Sequence, residues 1–258
     1  MKTHHMLNQQ QYQNKSEAYL KSSVHAQGIE FVKMQTLLQQ HSYSKVLDLG
    51  CGGGHVSYHL APYTQQLISC DLNAEMVNLV IAQAKSKGLH NIQGTISAAE
   101  TLPFIEQDFD CIVTRYSAHH WHNVPQAMSE MYRVLADHGR VVIFDVVGSC
   151  NPIFDSFLQT IEMIRDPSHV RDYSVSEWAQ FAELAGFRIE QVELQHLDLD
   201  FRSWVERMQT PEAAITTIAS MMHACSDEVK KYFQIKADAS FTTQSMYMVL
   251  SKSGRTTA

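Results

Sequence analysis

The chain has 258 residues, 45% of them hydrophobic and 18% charged, with a formal net charge of −7 at pH 7. That is enough apolar material for one large domain, and the acidic balance argues against bulk attraction to nucleic acid or an anionic membrane. The opening stretch MKTHHMLNQQQYQNKSEAYL has no apolar run of signal-peptide type, and no segment approaches the length of a membrane-spanning helix. Five scattered cysteines form no CxxC pair, so neither a disulfide framework nor a thiolate zinc site is expected, and a reduced, cytoplasmic setting fits.

From Lys45 onward short apolar runs alternate with helical patterns. KVLDLG, LISCDL, NIQGTI, FDCIVTR and GRVVIFDVV read as five strands. Between them the clearest helix runs from Asn73, a cap residue, to Lys87, with Gly88 as its stop. Another spans Pro125 to Leu135, with Gly139 placed after its end. Such alternation predicts a parallel sheet with helices on both faces. After Val147 the rhythm changes to a helix over Asn151 to Arg165, the polar loop RDPSHVRDY, and a helix opened by a Ser174–Glu177 capping box and closed at Gly186. A long strand follows from Phe187 to Leu199, then three helices (FRSWVERM, TPEAAITTIASMMHA, SDEVKKYF) and a last strand, TTQSMYMVLSK. No repeat or linker divides the chain.

The first strand runs straight into Gly50, Gly52 and Gly54. A glycine turn at that place lets a ligand touch the backbone and the next helix N-terminus, as nucleotide cofactors do. The dinucleotide fingerprint would have glycine where His55 stands, and Asp48 lies inside the strand, where a purely structural strand carries Val or Ile. Asp71 closes the second strand about 20 residues on, which suits a carboxylate accepting ribose hydroxyls. NAD enzymes share that device, and a turn acid or helix cap is the lesser alternative. Met76 is placed either against an adenine or in the core.

The segment SAAETLPFIEQDFDCIV carries Ala99, Glu100, Leu102, Pro103, Phe104, Phe109 and Asp110. It resembles the G-D-A-E-x-L-P-F-x-x-x-x-F-D motif of UbiE-like methyltransferases, with Ala98 where that family usually has Asp. Together with the glycine turn it is similar to the class I S-adenosylmethionine (SAM) methyltransferases. RYSAHHWHNV, SHVRDY, FRSWVERMQTPEA and the amino-terminal YLKSSVHAQG extend the resemblance, of the YafE and YcgJ type, over nearly the whole chain.

The resemblance implies an α/β, Rossmann-like, doubly wound sheet of seven strands, the last antiparallel, with a helical cap. It implies one methyltransferase domain over 1–258: an amino-terminal lid at 1–40, a SAM-binding half at 41–150, cap insertions around strand six at 151–235, and the last strand and tail at 236–258. At the cofactor it places Asp48, Gly50, Cys51, Gly52, Gly54, Asp71, Leu72, Met76, Ala98, Ala99, Glu100, Arg115 and Ser117, with Tyr19 and His25 as lid contacts. A carboxylate and backbone carbonyls suit SAM, which has an ammonium and a sulfonium but no pyrophosphate.

His119 and His120 follow the fourth strand, where the methyl group lies in this fold, and are the candidate bases; a packed or capping role is the alternative. HHWH lacks i, i+4 geometry and a nearby carboxylate, so no metal is expected. Tyr116 is a candidate substrate contact, and Arg165, His169 and Arg171 are candidates to clamp an anionic substrate group unless they pair with Asp166 and Asp172 in a solvated loop. Arg202 and Arg207 share a helix with Trp204, itself a plain core residue or a wall of the same cavity. The function implied is methylation of a small molecule on O, C or N. Its rivals are a non-catalytic SAM-binding protein, an NAD-dependent oxidoreductase, and a nucleic-acid methyltransferase, which the acidic charge disfavours.

Overall fold

A computed structural model of the protein describes residues 3–12 and 28–253. Seven strands lie in it at β1 (Lys45–Leu49), β2 (Gln66–Asp71), β3 (Ile92–Ile96), β4 (Phe109–Arg115), β5 (Leu135–Val146), β6 (Phe187–Leu199) and β7 (Phe241–Lys252). They form one sheet in the order β3-β2-β1-β4-β5-β7-β6. The first five are parallel, and β7 runs antiparallel to both β5 and β6. This is the doubly wound α/β sheet with a reversed last strand that the sequence motifs imply.

Helices cover both faces, so the central strands read as unbroken apolar runs rather than alternating ones. On one side α2 (Ile29–His41), α3 (His55–Leu60) and α4 (Ala74–Ser86) bury Phe31, Met34, Leu38, Val56 and Val80 against Val46, Leu67 and Val113. On the other, α5 (Val124–Val134) and α7 (Val175–Ala185) pack Met128, Met131 and Trp178 on Leu47, Ile112 and Met248. A third cluster, the cap, joins α6 (Pro152–Arg165), α8 (Phe201–Arg207), α9 (Glu212–Ala224) and α10 (Asp227–Tyr232) through Leu158, Trp204, Ile218 and Phe233. Caps read from sequence form as bonds: the Asn73 side chain accepts from Glu75 N, and Ser174 and Glu177 close a full capping box.

One boundary differs. The pattern predicts strand five from Gly139, but α5 ends at Val134 and β5 starts at once with Leu135, opposite Phe109. The register then shifts around Asp110, whose carboxylate accepts from Ser44 N and Lys45 N at 2.9 Å each. A Cβ on Gly139 would lie 2.7 Å from the Asp110 carbonyl, so this glycine lets two backbones pass at a bulge and is not a helix stop.

Because β1 is flanked by β2 on one side and β4 on the other, the chain winds away from it in both directions. That opens a crevice at the carboxyl edge of the sheet. Before it stand α1 (His4–Tyr12), which touches the loop after β4, and α2; Tyr19 and His25 lie outside the described residues. Glu30 of α2 binds Arg115 at the end of β4, Oε1 to Nη2 at 2.6 Å, with both side chains 5% exposed. Removing one member of such a pair strands a buried charge. Glu30→Ala is therefore expected to lose about 3–5 kcal/mol in chemical denaturation.

Candidate active site

The chain leaves β1 through a glycine turn tied back to β2, with Gly50 N and Cys51 N both donating to Cys70 O at 2.8 and 3.0 Å. Gly50, Gly52 and Gly54 all have positive φ (75°, 47° and 81°). A Cβ on Gly50 would sit 1.8 Å from Ser117 Oγ, whereas one on Gly52 would meet nothing within 4 Å. Gly52 borders a cleft of about 730 Å³, measured out to its open mouth. Leu49, Gly50, Asp71, Leu72, Met76, Ser97, Ala98, Ala99 and Glu100 line it from the ends of β1, β2 and β3, and Tyr116, Ser117, His120 and Trp121 from beyond β4. His5, Asn8 and Tyr12 of α1 close its mouth.

Two acids serve this cleft differently. Asp71 accepts from Gly52 N (2.9 Å) and Asn73 N (2.8 Å), which leaves further lone pairs of a carboxylate for a ligand's hydroxyls. Asp48 is 1% exposed and lies beneath the glycine turn. Its Oδ2 accepts from Ser57 Oγ at 2.5 Å, and its Oδ1 has no hydrogen-bond partner. Burial pushes Asp48 up to about 7, against the pull of the Ser57 hydroxyl. The donor set fits a nucleoside with a cationic tail: a ribose-type acceptor at Asp71, an open glycine backbone, and an underlying carboxyl with an unmatched oxygen.

The loop after β4 hangs on Asp145, a β5 residue 2% exposed. Its Oδ2 accepts from Ala118 N (2.8 Å) and Ser117 N (3.2 Å), and its Oδ1 from Val146 N (2.8 Å) and His119 Nδ1 (2.6 Å). Burial opposes a charge on His119, but the Asp145 carboxylate outweighs it and pushes the ring up to about 9. His120 goes the other way, down to about 4, through burial and the neighbouring His119 charge. His120 Nδ1–H donates to Ser168 O at 3.1 Å, so Nε2 is the accepting nitrogen, and Tyr12 Oη donates to it at 2.6 Å. Tyr116, beside them, is held at φ 50°, a left-handed conformation unfavourable for a tyrosine.

Tyr12, Tyr116 and His120 also border a second cavity of about 570 Å³ under the cap. His119, Val146, Glu162, Arg165, Asp172, Leu197, Leu199, Trp204, Arg207 and Met208 complete its walls. Of the residues of the RDPSHVR segment, the structure brings Arg165 to this cavity and spends the others elsewhere. Arg171 pairs with Asp155 and Glu177, and His169 donates to Gln159 Oε1. Arg202 is 85% exposed and pairs with Glu206, while Trp204 is both core and cavity wall. Arg115 is turned to Glu30 and Phe31 and is absent from the walls of both cavities. Sequence reasoning passed over Tyr12, Asp145 and Glu162, and gave Asp172 only a place as an ion-pair partner in a solvated loop. Only Asp145 carried a local signal, an acid inside the apolar strand GRVVIFDVV, as Asp48 is in KVLDLG.

Residues 47–143 match a family model described as a methyltransferase domain. The chain belongs to the class I SAM-dependent methyltransferases of UbiE-like type, and SAM is its cofactor. It is 38% identical to YafE of Escherichia coli K12, described as an uncharacterized protein, over 75% of this chain and 94% of that one. It is 33% identical to YcgJ of Bacillus subtilis, described as an uncharacterized methyltransferase, over 89% and 91%. The crystal structure of YcgJ superposes with a TM-score of 0.80, covering 87% of this chain and 98% of YcgJ. A shorter match, 32% identity over 45% of each chain, is to the ubiquinone/menaquinone biosynthesis C-methyltransferase UbiE of Haemophilus ducreyi. Among the described residues no cluster suits a metal ion, and no helix is long and apolar enough to cross a membrane.

The two glycines separate stability from binding. Gly50→Ala is expected to destabilise the fold, because Ser117 blocks the new methyl group, whereas Gly52→Ala projects into the cleft. Gly52→Ala therefore weakens S-adenosylhomocysteine binding by about tenfold or more at a loss of only about 1–2 kcal/mol in stability. Calorimetric titration and thermal melts read the two effects.

Asp48 gives a pH test. Its carboxyl keeps its proton up to about 7 when folded but only to 3.8 when unfolded, so the folded state loses stability as pH rises between those values. Relative to the parent, Asp48→Asn is expected to gain about 2 kcal/mol between about pH 5.5 and about pH 8. A gap that stays flat with pH contradicts the raised pKa.

Proposed function

We propose that the chain methylates a small molecule held in the second cavity, with SAM in the first, the acceptor's reactive atom lying where the two meet. The observation that carries this reading is the junction itself: Tyr12, Tyr116 and His120 border both cavities. When bound, SAM supplies an electrophilic methyl group on a sulfonium sulfur. The chain's own work is then mostly positioning. Asp71 would take the ribose hydroxyls. Leu72, Met76, Ala98, Ala99 and Glu100 would bound the adenine. The Gly50–Gly54 backbone, with Asp48 beneath it, would face the methionyl group. Ala98 replaces the family's usual Asp, which leaves backbone groups there to read the adenine edge.

The two histidines divide the remaining tasks. His120, neutral and accepting at Nε2, takes the acceptor's proton, directly or through the Tyr12 hydroxyl that already donates to it. His119, charged against Asp145, is not a base near neutral pH; it fixes positive charge in the acceptor cavity. Of the expected lid at 1–40, α1 is the part that acts as a lid, because α2 is packed into the core of the sheet face; 41–150 act as the cofactor half and 151–235 as the acceptor cap, within one working domain. An acceptor site beneath the cap, about 570 Å³ measured out to its open mouth, favours a small molecule over a nucleic acid, and the free cysteines suit a reduced cytoplasm.

The test is calorimetric titration with SAM and S-adenosylhomocysteine, with NAD as control, followed by a methyl-acceptor screen. Binding of the SAM pair and turnover with a small acceptor are expected. Once an acceptor is in hand, His120→Asn is expected to lower kcat by about 10²–10⁴-fold while S-adenosylhomocysteine affinity changes little. Unchanged kcat would remove His120 from proton transfer.

A further inference from the structure

The RDPSHVR segment holds an acid that the proton path above leaves unused. Asp166 follows α6 and is 1% exposed. Its Oδ1 accepts from Ser168 N (2.8 Å) and Ser168 Oγ (2.7 Å), which closes a turn across Pro167, whose fixed φ suits it. This short turn reaches both nitrogens of His120. On one side Ser168 O accepts from Nδ1–H at 3.1 Å. On the other, Asp166 Oδ2 lies 3.9 Å from Nε2, and the Tyr12 hydroxyl touches both, 2.6 Å from Nε2 and 3.4 Å from Oδ2.

Every partner of the Asp166 side chain is a donor, as an ionised carboxylate requires. Burial works against that charge, but the facing His120 ring, the Ser168 donors and Arg165 outweigh it and hold the carboxyl below its usual range. The polar groups around His120 are Tyr12 and His4 from α1, His119 with Asp145 behind it, and Asp166 with Arg165 and His169 beside it. Asp145 is already matched by His119. Among the described residues, the one cationic partner in ion-pair range of Asp166 is His120 itself. A tyrosine hydroxyl has a single hydrogen, so Tyr12 donates either to Nε2 or to Oδ2, and Nε2 is the closer. Once Nε2 carries a proton it becomes the donor, and the Tyr12 hydrogen has the carboxylate to turn to.

Resting on the methyltransferase reading above, with His120 as base, we propose that Asp166 is a positioning residue for the proton transfer: its turn fixes the His120 tautomer, and its carboxylate holds the imidazolium that forms, through the Tyr12 hydroxyl. The acceptor's proton passes to Tyr12 Oη as the Tyr12 hydrogen passes to His120 Nε2. The bonding pair stays on the acceptor atom, where the methyl group arrives. Tyr12 ends as a neutral phenol and His120 as a cation. Nε2–H then donates to Tyr12 Oη, and Tyr12 donates to Asp166 Oδ2. The chain runs from cation to carboxylate with each donor matched, in a buried place where such bonds are strong.

The experiment follows the His120 ring by NMR in the full chain, with isotopically labelled histidine nitrogens and saturating S-adenosylhomocysteine, from neutral pH down to acid unfolding. His120→Asn identifies its signals. The parent is expected to show a neutral ring with its hydrogen on Nδ1 near neutral pH. Asp166→Asn keeps an acceptor for Ser168, so the tautomer and the S-adenosylhomocysteine affinity are expected to stay. Loss of the anion disfavours the charged ring, so the protonation midpoint of His120 is expected to fall by about one pH unit or more, about tenfold in protonated fraction. Should the parent ring stay neutral until unfolding, the same comparison is made in His119→Gln, which removes the neighbouring cation and raises the midpoint. Should Asp166→Asn not fold, Asp166→Ser, which also keeps an acceptor, takes its place. A hydrogen on Nε2 in the parent, or a midpoint that stays or rises without the carboxylate, would overturn the role of Asp166. Failure of the parent to bind S-adenosylhomocysteine would instead refute the reading of the first cavity, and unchanged kcat in His120→Asn the base; neither result turns on Asp166.

Discussion

The site depends on one carboxylate. Asp145, at the end of β5, accepts from three backbone N–H groups and one imidazole, so both of its oxygens are saturated in a buried place. This knot fixes the loop after β4 to the strand beside it. It also sets the His119 tautomer and gives that ring its charge. The same charge then helps to deny one to His120, whose ring centroid is only 4.2 Å away. Val170 N and Arg171 N donate to His119 O, so the cap loop is hung from the same point. One interaction thereby produces a charged and a neutral histidine side by side, and brings the cap to them.

Burial without full compensation recurs at both ends of the site. Asp48 lies under the first cleft with one oxygen unmatched, and Asp172 lies at the second cavity with another. Each opposes folding, since a buried carboxyl without partners is less stable than a solvated one. The strain at Tyr116 between them has the same character. Such features persist where binding, rather than folding, completes the interactions. They bracket the path along which the two cavities meet.

Helix α1 shares in this arrangement. Within α1 no residue is buried, so its hold on the core is weak. What ties it down is polar and specific: Tyr12 Oη to His120 Nε2, His4 Nε2 to His120 O, and Gln9 Nε2 to Leu72 O. These bonds end on residues at the cleft. The helix is therefore joined to the site chiefly through His120.

The sequence by itself determined the seven strands, the glycine turn, the acid after β2 and the caps at Asn73 and Ser174. Each of these rests on residues within a few positions of one another, where periodicity and turn chemistry act locally. It also carried the family through motifs at successive strand ends. Which charge meets which was decided only by tertiary structure. Arg115 was expected near the cofactor and found its partner in Glu30, 85 positions away; Arg171 went to Asp155 and Glu177, and Arg165 alone of its cluster reached the cavity. Tyr12, Asp145 and the Glu162–Asp172 stretch come from three separate segments, and no spacing in the chain links them. The reason is physical: a charge is satisfied by whatever packing brings within about 4 Å, and that distance is set by how the cap folds back over the sheet edge.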